Sequence, residues 1–166
     1  KGSSIRQDYL EKTIQWISND KIEEYMSVNQ NKKNAKTLWN YFNHVIEWVE
    51  KNFKNKKIMK GIDWGLYYNK YKNKKFDVKK LDKNVTNLIL DEDVTNHLGI
   101  YPYLITGEEK LLSIRAFSES IKLRVYEKQK NKCKVCGKKF EITEMEADHI
   151  TAWSKNGKSI ESNCQM

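Results

Sequence analysis

Residues 133–150 have the sequence CKVCGKKFEITEMEADHI and contain two patterns of side chains that can carry chemistry. Cys133 and Cys136 are spaced by two residues and followed by Gly137. Two thiolates at this spacing can bind one tetrahedral metal ion, and the glycine lets the backbone turn beside the sulfur atoms. A structural zinc site needs four ligands, so the pattern supplies half of one, with Cys164 as a candidate third ligand. A redox pair and an incidental pair are the alternatives.

Asp148 and His149 form the second pattern. A carboxylate binds hard divalent cations, and an imidazole is the side chain best suited to take a proton from water near neutral pH. Neighbouring side chains on a regular strand point to opposite faces, so both can serve one centre only where the strand ends or twists. The loop from Thr151 to Lys158, with Asn156-Gly157, provides such an end. On its own, an adjacent Asp-His pair is more often structural or simply exposed.

Helical patterns dominate the rest of the chain. The stretch from Ala35 to Phe53 carries aliphatic and aromatic residues at helical spacing and predicts the strongest helix. Similar patterns, three of them opening on a candidate cap, predict further helices from Asp8 to Ile17, Asp20 to Met26, Asp77 to Leu90 and Ser118 to Gln129.

The remaining segments are expected to be short and irregular. Asp91-Glu92-Asp93 is expected to cap a following short helix rather than to hold a metal. Gly99 to Gly107 contains the only proline and is expected to be an extended connector. Two strands are predicted near Phe140–Ile142 and through Met145–Ile150. The sequence therefore predicts an α+β fold that is mostly α, with a small helix–knuckle–hairpin module at its C-terminal end.

Composition excludes several classes of protein. The chain has 166 residues, 39% of them hydrophobic, and five tryptophans, enough for a core without disulfides. No apolar run is long enough for a membrane span, and the first residues lack a signal peptide's apolar stretch. Three cysteines, two of them in a C-x-x-C pattern, suit a reducing compartment. We therefore expect a cytoplasmic protein with no membrane partner.

The net charge of +9 is concentrated in one part of the sequence. Between Asn31 and Lys83 there are 15 lysines, no arginine and five acidic residues. Lysine suits contact with phosphate groups without reading base sequence, and Tyr67, Tyr68 and Tyr71 among these lysines could stack on bases. The alternatives are a solvated basic surface in a lysine-rich sequence, and tyrosines packed in a core beneath snorkelling lysines.

The C-terminal features taken together resemble an HNH endonuclease, the ββα-metal fold. They occur in that family's order: the helix from Arg124 to Gln129, the pair Cys133 and Cys136, the stretch Phe140 to Ile150, then Trp153, Gly157, Lys158 and Asn163 to Met166. Upstream, short motifs look like the segment that precedes the nuclease in bacterial proteins with an N-terminal ParB-like domain, which are similar to modification-dependent restriction and anti-phage enzymes. These motifs begin at Arg6, Leu38, Gly61 and Leu112.

The resemblance implies a role for each of five residues. His149 would be the general base that activates water against a phosphodiester bond of DNA. Asp148 would be a ligand of a single Mg²⁺ or Mn²⁺ ion, and Asn163 would orient the strand that carries His149. Cys133 and Cys136 would be half of a structural Zn²⁺ site.

The resemblance also predicts three regions. Residues 1–60 would be the helical C-terminal end of a larger domain, 61–115 a basic helical connector, and 116–166 an HNH module. The family continues past Gln165-Met166 with a second cysteine pair and a final metal-site residue, so we expect this stretch to bind zinc weakly and to cleave poorly, with a ParB-like domain missing as partner. The alternatives are a non-catalytic nucleic-acid-binding zinc-knuckle module and a helical sensor or interaction segment.

Overall fold

The computed structural model describes residues 4–166, and most of them are helical. The helices are α1 (Ser4–Ser18), α2 (Ile22–Asn29), α3 (Lys36–Asn52), α4 (Trp64–Tyr71), α5 (Val78–Leu90), α6 (Ile100–Thr106) and α7 (Glu119–Lys128), joined by short 3-10 turns. Two strands, β1 (Asp148–His149) and β2 (Cys164–Gln165), pair antiparallel. The predicted fold class, α+β and mostly α, is confirmed. Every helix in the described part of the chain is too short or too polar to cross a bilayer.

The described residues form two compact units. The first runs through Thr86 and includes Leu104–Thr106, and the second consists of Asn87–Tyr103 and Gly107–Met166. The second unit thus contains a segment well upstream of residue 116. The division of the chain into functional regions 1–60, 61–115 and 116–166 stays a prediction.

The core of the first unit is built on α3. Val45, Val49 and Phe53 lie on its buried side, and the Phe53 ring contacts Trp48 and Trp64 at centroid distances of 5.2 and 4.8 Å. Aromatic pairs at such distances add packing energy beyond the area they bury. The helix predicted from Ala35 to Phe53 is confirmed, and one side of it forms the core of the first unit.

Tyr68 of α4 takes part in the same packing. The ring of Tyr68 lies edge-on to Trp48 at 5.8 Å and to Tyr41 at 5.9 Å. The Tyr41 hydroxyl donates to Asn69 at 2.9 Å, and burial raises the pKa of Tyr41 to about 12. The Nζ atom of Lys72 lies over the Tyr68 ring, 5.7 Å from its centroid. For Tyr68 the packing interpretation is therefore the one that the structure supports.

Helix α4 approaches α1 closely at Gly65. A Cβ atom at this position would lie 2.2 Å from the Trp16 ring, so a larger residue would push the two helices apart. The Trp16 carbonyl accepts a hydrogen bond from Asn69 of α4 at 2.8 Å. Gly65 thus allows the close contact between α1 and α4, and the hydrogen bond from Asn69 to Trp16 stabilises it.

Two predicted helix starts agree with the structure and one does not. Asp77 caps α5 by accepting the Lys80 amide at 3.0 Å, and the Ser118 hydroxyl accepts the Ile121 amide at the start of α7. Asp20 does not cap α2, because it has a left-handed backbone and its carboxylate accepts the side-chain amide of Gln15 at 2.6 Å.

The extended connector predicted for Gly99–Gly107 is wrong, because this segment contains helix α6. Pro102 lies in the first turn of α6, where a helix needs no amide donor, so the proline does not break it. Gly107 ends the helix in a left-handed conformation and donates to the Tyr103 carbonyl at 2.7 Å. Proline and glycine here mark the two ends of a helix.

The predicted hairpin between Phe140–Ile142 and Met145–Ile150 is also wrong. Ile142–Glu144 forms a 3-10 turn, and the side chains of Glu141 and Glu144 cap it reciprocally. The segment that contains Asp148 and His149 pairs instead with the last residues of the chain: Asp148 with Gln165, and His149 with Cys164.

The packing of the first unit predicts unequal effects for two Val→Ala substitutions. Val45 of α3 is fully buried, whereas Val28 of α2 is 75% exposed. Val45→Ala is expected to lower the free energy of unfolding by about 2 kcal/mol, because it removes buried methyl groups and leaves a cavity. Val28→Ala is the matched control, with an expected change within about 0.5 kcal/mol. Urea unfolding measures both, and equal effects would contradict the assignment of α3 to the core.

Candidate active site

Asp148 and His149 lie side by side at the edge of one cleft. Both residues line a cleft of about 550 Å³, together with Arg115, Phe117 and Lys122. The Asp148 carboxylate is exposed, and its Oδ1 accepts the backbone amide of His149 at 2.8 Å. The strand β1 is only two residues long, and because it ends at His149 both side chains reach the same space.

The imidazole of His149 is held on two sides. Its ring packs against Phe117, with centroids 4.4 Å apart and planes inclined by 42°. Its Nε2 atom lies 3.0 Å from the hydroxyl of Ser159, and that hydroxyl lies 2.9 Å from the carbonyl oxygen of Arg115. The orientation of the ring is therefore set by residues that precede and follow β1.

Asn163 closes the loop between the two strands. Its Oδ1 atom accepts the Thr151 amide at 2.8 Å, and its Nδ2 atom donates to the carbonyls of Thr151 and Lys158, each at 3.0 Å. Gly157 lies inside this loop, where a Cβ atom would be 1.7 Å from the Thr151 carbonyl oxygen. The loop closes this tightly because residue 157 has no side chain.

An acidic segment from the start of the second unit reaches the same loop. Lys158 Nζ pairs with Asp91 at 2.7 Å, and the Ser159 amide donates to the buried carboxylate of Asp93 at 3.1 Å. Partial burial favours the neutral form of Asp91, but the hydrogen bonds from Lys158 and from the Asp93 amide outweigh it and lower the pKa of Asp91 below its ordinary value.

The predicted role of this acidic segment in capping the next helix is wrong. The 3-10 turn His97–Gly99 follows Asn96, whereas Asp91 and Asp93 bind the loop that carries Ser159. Sequence reasoning missed this contact, along with the placement of Arg115 and Phe117 in the cleft. The partners are 66 and 67 residues apart, and no local pattern connects them.

Helix α7 and the residue after it, Gln129, contact β2 and the turn that precedes it. The Gln129 side chain accepts the Met166 amide at 2.8 Å and donates to its carbonyl at 3.2 Å, which fixes the residue after β2. Lys128 and Arg124 pair with Glu161, and their hydrogen bonds lower the pKa of that carboxyl. The helix thus holds the far end of the loop closed by Asn163.

The cysteine pair has the local form of a metal ligand pair. Gly137 adopts a left-handed backbone and donates to the Cys133 carbonyl at 2.9 Å, which closes the turn. Hydrogen bonds from the backbone amides of Cys136 and Val135 lower the pKa of the Cys133 thiol, which favours the thiolate that binds metals.

The third cysteine lies in a different environment. Cys164 is buried with Phe117, Val125, Tyr126 and Met166, and burial raises its pKa. Within residues 4–166 no group of three or more His, Cys, Asp or Glu side chains is arranged to hold a metal. Cys164 is therefore a core residue, and the described residues supply two sulfur ligands of the four that a structural zinc site needs.

Comparison with known protein families matches residues 133–166 to the family model of the HNH endonuclease. The match contains Cys133, Cys136, Asp148, His149 and Asn163. No curated protein and no solved structure matches the chain. The catalytic and metal-binding roles assigned to these residues, the ParB-like neighbour and the role in restriction stay predictions, because the match gives a family for this stretch alone.

The hydrogen bonds of Asn163 predict how the loop responds to its removal. Asn163→Ala removes the acceptor of the Thr151 amide, so hydrogen exchange at that amide is expected to accelerate by at least about tenfold. Ser162→Ala, a change at the exposed neighbouring side chain, is the control and should leave this exchange rate unchanged. Protection of the Thr151 amide that survives in Asn163→Ala would show that Asn163 does not hold the loop.

Proposed function

We propose that the second unit is a metal-dependent endonuclease module that hydrolyses phosphodiester bonds of DNA in the cleft beside β1. The observation that carries this proposal is the placement of Asp148 and His149 together in one cleft, within a stretch that matches the HNH endonuclease family. A carboxylate and an imidazole at one site provide a cation ligand and a proton acceptor.

His149 is the general base in this proposal. Its imidazole takes a proton from a water molecule, and the water oxygen forms a bond to phosphorus as the bond to the leaving nucleotide oxygen breaks. The leaving oxygen is protonated by solvent, so atoms and charge balance. Phe117 and Ser159 hold the ring in place, which removes the cost of orienting the base during the reaction.

The residues at the cleft fit a divalent cation of the Mg²⁺ or Mn²⁺ type. Mg²⁺ is commonly bound through one or two carboxylates together with water and substrate phosphate, and the exposed Asp148 carboxylate provides such a ligand. A bound cation would neutralise charge on the phosphate and stabilise the leaving oxygen. Asn163 keeps the loop after His149 closed and so acts by orientation.

The cysteine pair does not complete a closed zinc site from the described residues. Cys133 and Cys136 offer two thiolate ligands, and Cys164 belongs to the core. A structural zinc ion needs four ligands. No step of the proposed reaction depends on this pair.

Arg115 and Lys122 contribute positive charge to the cleft, and we assign them to the phosphate groups of the substrate. The backbone of Arg115 is fixed at both ends, since its amide donates to the Asp93 carbonyl at 2.7 Å and its carbonyl accepts the Ser159 hydroxyl. Its guanidinium thus extends from a rigid point and can donate two parallel hydrogen bonds to a phosphate. Lys122, paired with Glu119 at 2.7 Å, adds a point charge.

The biological setting is proposed from the resemblance alone. We place the protein in the bacterial cytoplasm, as part of a restriction or anti-phage system in which a ParB-like domain of the same protein accompanies the nuclease. Foreign or modified DNA would be the substrate. The basic stretch from Asn31 to Lys83 would bind DNA phosphates without sequence preference.

The role of His149 predicts a specific loss of activity. His149→Ala is expected to lower the rate of DNA cleavage in Mg²⁺ or Mn²⁺ by a factor of about 10² to 10⁴, because the proton acceptor is lost, while DNA affinity is retained. Nicking of supercoiled plasmid measures the rate, and fluorescence anisotropy measures affinity. His97→Ala, a change at an exposed histidine of the same unit, should leave both unchanged.

Two results would overturn this assignment. Equal cleavage by wild type and His149→Ala would exclude His149 as the base. Binding with a steep salt dependence but no cleavage in any divalent cation would favour the non-catalytic nucleic-acid-binding module. Added chelator should stop cleavage by the wild type, and cleavage that persists in chelator would contradict the requirement for a cation.

The placement of Arg115 predicts a loss of substrate binding. Arg115→Ala is expected to lower kcat/KM by about tenfold or more, because a charge-assisted hydrogen bond to phosphate is lost. Arg115→Lys keeps the charge without the paired donors and should retain part of the activity. Steady-state cleavage kinetics measure kcat/KM for each variant. An unchanged kcat/KM in Arg115→Ala would show that Arg115 does not bind the substrate.

A further inference from the structure

We propose that Ser159 is a positioning residue for His149, whose hydroxyl accepts a hydrogen bond from Nε2 and so keeps Nδ1 as the unprotonated nitrogen of the neutral imidazole. This inference rests on the proposed function, in which the unprotonated nitrogen takes the proton from water. The residues between Asp91 and Arg115, outside the stretch matched to the family, hold Ser159 in place.

The direction of the hydrogen bond follows from counting protons. The Ser159 hydroxyl lies 2.9 Å from the Arg115 carbonyl oxygen and 3.0 Å from His149 Nε2, and it carries one proton. A carbonyl oxygen only accepts, so the proton must lie on the line to Arg115; otherwise two oxygen lone pairs would face each other at 2.9 Å. The hydroxyl is then an acceptor toward His149, and Nε2 must be the donor.

A neutral imidazole carries a single N–H group. With that proton on Nε2, Nδ1 has the free lone pair. The carbonyl of Arg115 thus determines, through one hydroxyl, which nitrogen of His149 is the base.

The backbone of Ser159 is held by a buried residue. The Ser159 amide donates to the Asp93 carboxylate at 3.1 Å, and the Asp93 carbonyl accepts the Arg115 amide at 2.7 Å. Asp93 is only 8% exposed, so the backbones of Ser159 and Arg115 are both tied to one buried residue. Lys158, the preceding residue, is tied to Asp91 of the same segment at 2.7 Å.

The imidazole cannot satisfy this site equally well in the flipped orientation. Phe117 covers one side of the ring with centroids 4.4 Å apart, so the ring plane is fixed by packing. A flip within that plane would replace Nε2 by a carbon atom beside the Ser159 hydroxyl and would lose the hydrogen bond. Packing against Phe117 therefore fixes the plane of the imidazole, and the hydrogen bond to Ser159 favours one of the two ring orientations within that plane.

Nitrogen-15 NMR of the histidine rings tests the proposal without any cleavage assay. At alkaline pH, wild type should show His149 with a protonated Nε2, a bare Nδ1 and an Nε2 proton visible because the hydrogen bond slows its exchange with water. In Ser159→Ala this proton should be lost to exchange, and Ser159→Thr should restore it. Ser154→Ala, an exposed serine of the same loop, is the control and should keep it.

Kinetics provide the second readout. Ser159→Ala is expected to lower kcat by about tenfold, because the imidazole loses the hydrogen bond that orients it, with KM unchanged. Ser159→Thr should recover most of kcat. A merely structural role would lower the stability of the protein and raise KM, and it would not be rescued through the hydroxyl.

Each outcome decides the proposal. A protonated Nδ1 in the wild type would overturn it, and this result needs no variant to fold. An Nε2 proton that survives in Ser159→Ala, or an unchanged kcat, would overturn it while leaving the endonuclease proposal intact. If the wild type shows the predicted ring protonation but cleaves no DNA in Mg²⁺ or Mn²⁺, the endonuclease proposal is contradicted and the assigned hydrogen bond is supported.

Discussion

The buried carboxylate of Asp93 is the constraint on which the rest of the second unit depends. A buried polar group must be hydrogen-bonded, and the Asp93 carboxylate accepts the amide of Ser159. The backbone carbonyl of Asp93 accepts the amide of Arg115. These bonds join the loop between β1 and β2 to a segment far upstream in the sequence. Ser159 then contacts His149, and Arg115 extends into the cleft. The reactive side chains are thus positioned by one polar network.

Hydrogen bonds do much of the positioning of these side chains, because the strands at the site are short. Strands β1 and β2 have two residues each, and the apolar cluster beneath them is small, with Phe117, Cys164 and Met166 among its members. Asn163 and Gln129 close the structure by bonding to backbone groups at both ends of the loop and after β2. Such a site is rigid only while each polar group keeps its partner, because an unpaired buried group is costly.

The features that could be predicted from the sequence are those set by neighbouring residues. Helices α3, α5 and α7 follow from apolar spacing and from the caps Asp77 and Ser118, and the pair Asp148–His149 stands out by its chemistry. Two predictions from local sequence were wrong. Pro102 was expected to exclude a helix, but proline is tolerated in the first turn of a helix. Glu141 caps a 3-10 turn where a strand was expected. Ser159 and Asp93 were missed because their contacts with the site span many residues and leave no periodic trace.

In the proposed reaction a water molecule, activated in this cleft, attacks a phosphodiester bond. Cleavage of DNA in ¹⁸O-labelled water with Mg²⁺ or Mn²⁺, followed by mass spectrometry of the products, tests it most directly. We expect one solvent oxygen in the phosphate group formed at each broken bond, none in the hydroxyl end that leaves it, and none in the uncleaved substrate. Products whose phosphate lacks the label would show that the nucleophile is not water, and intact DNA under every cation would show that the cleft does not hydrolyse it.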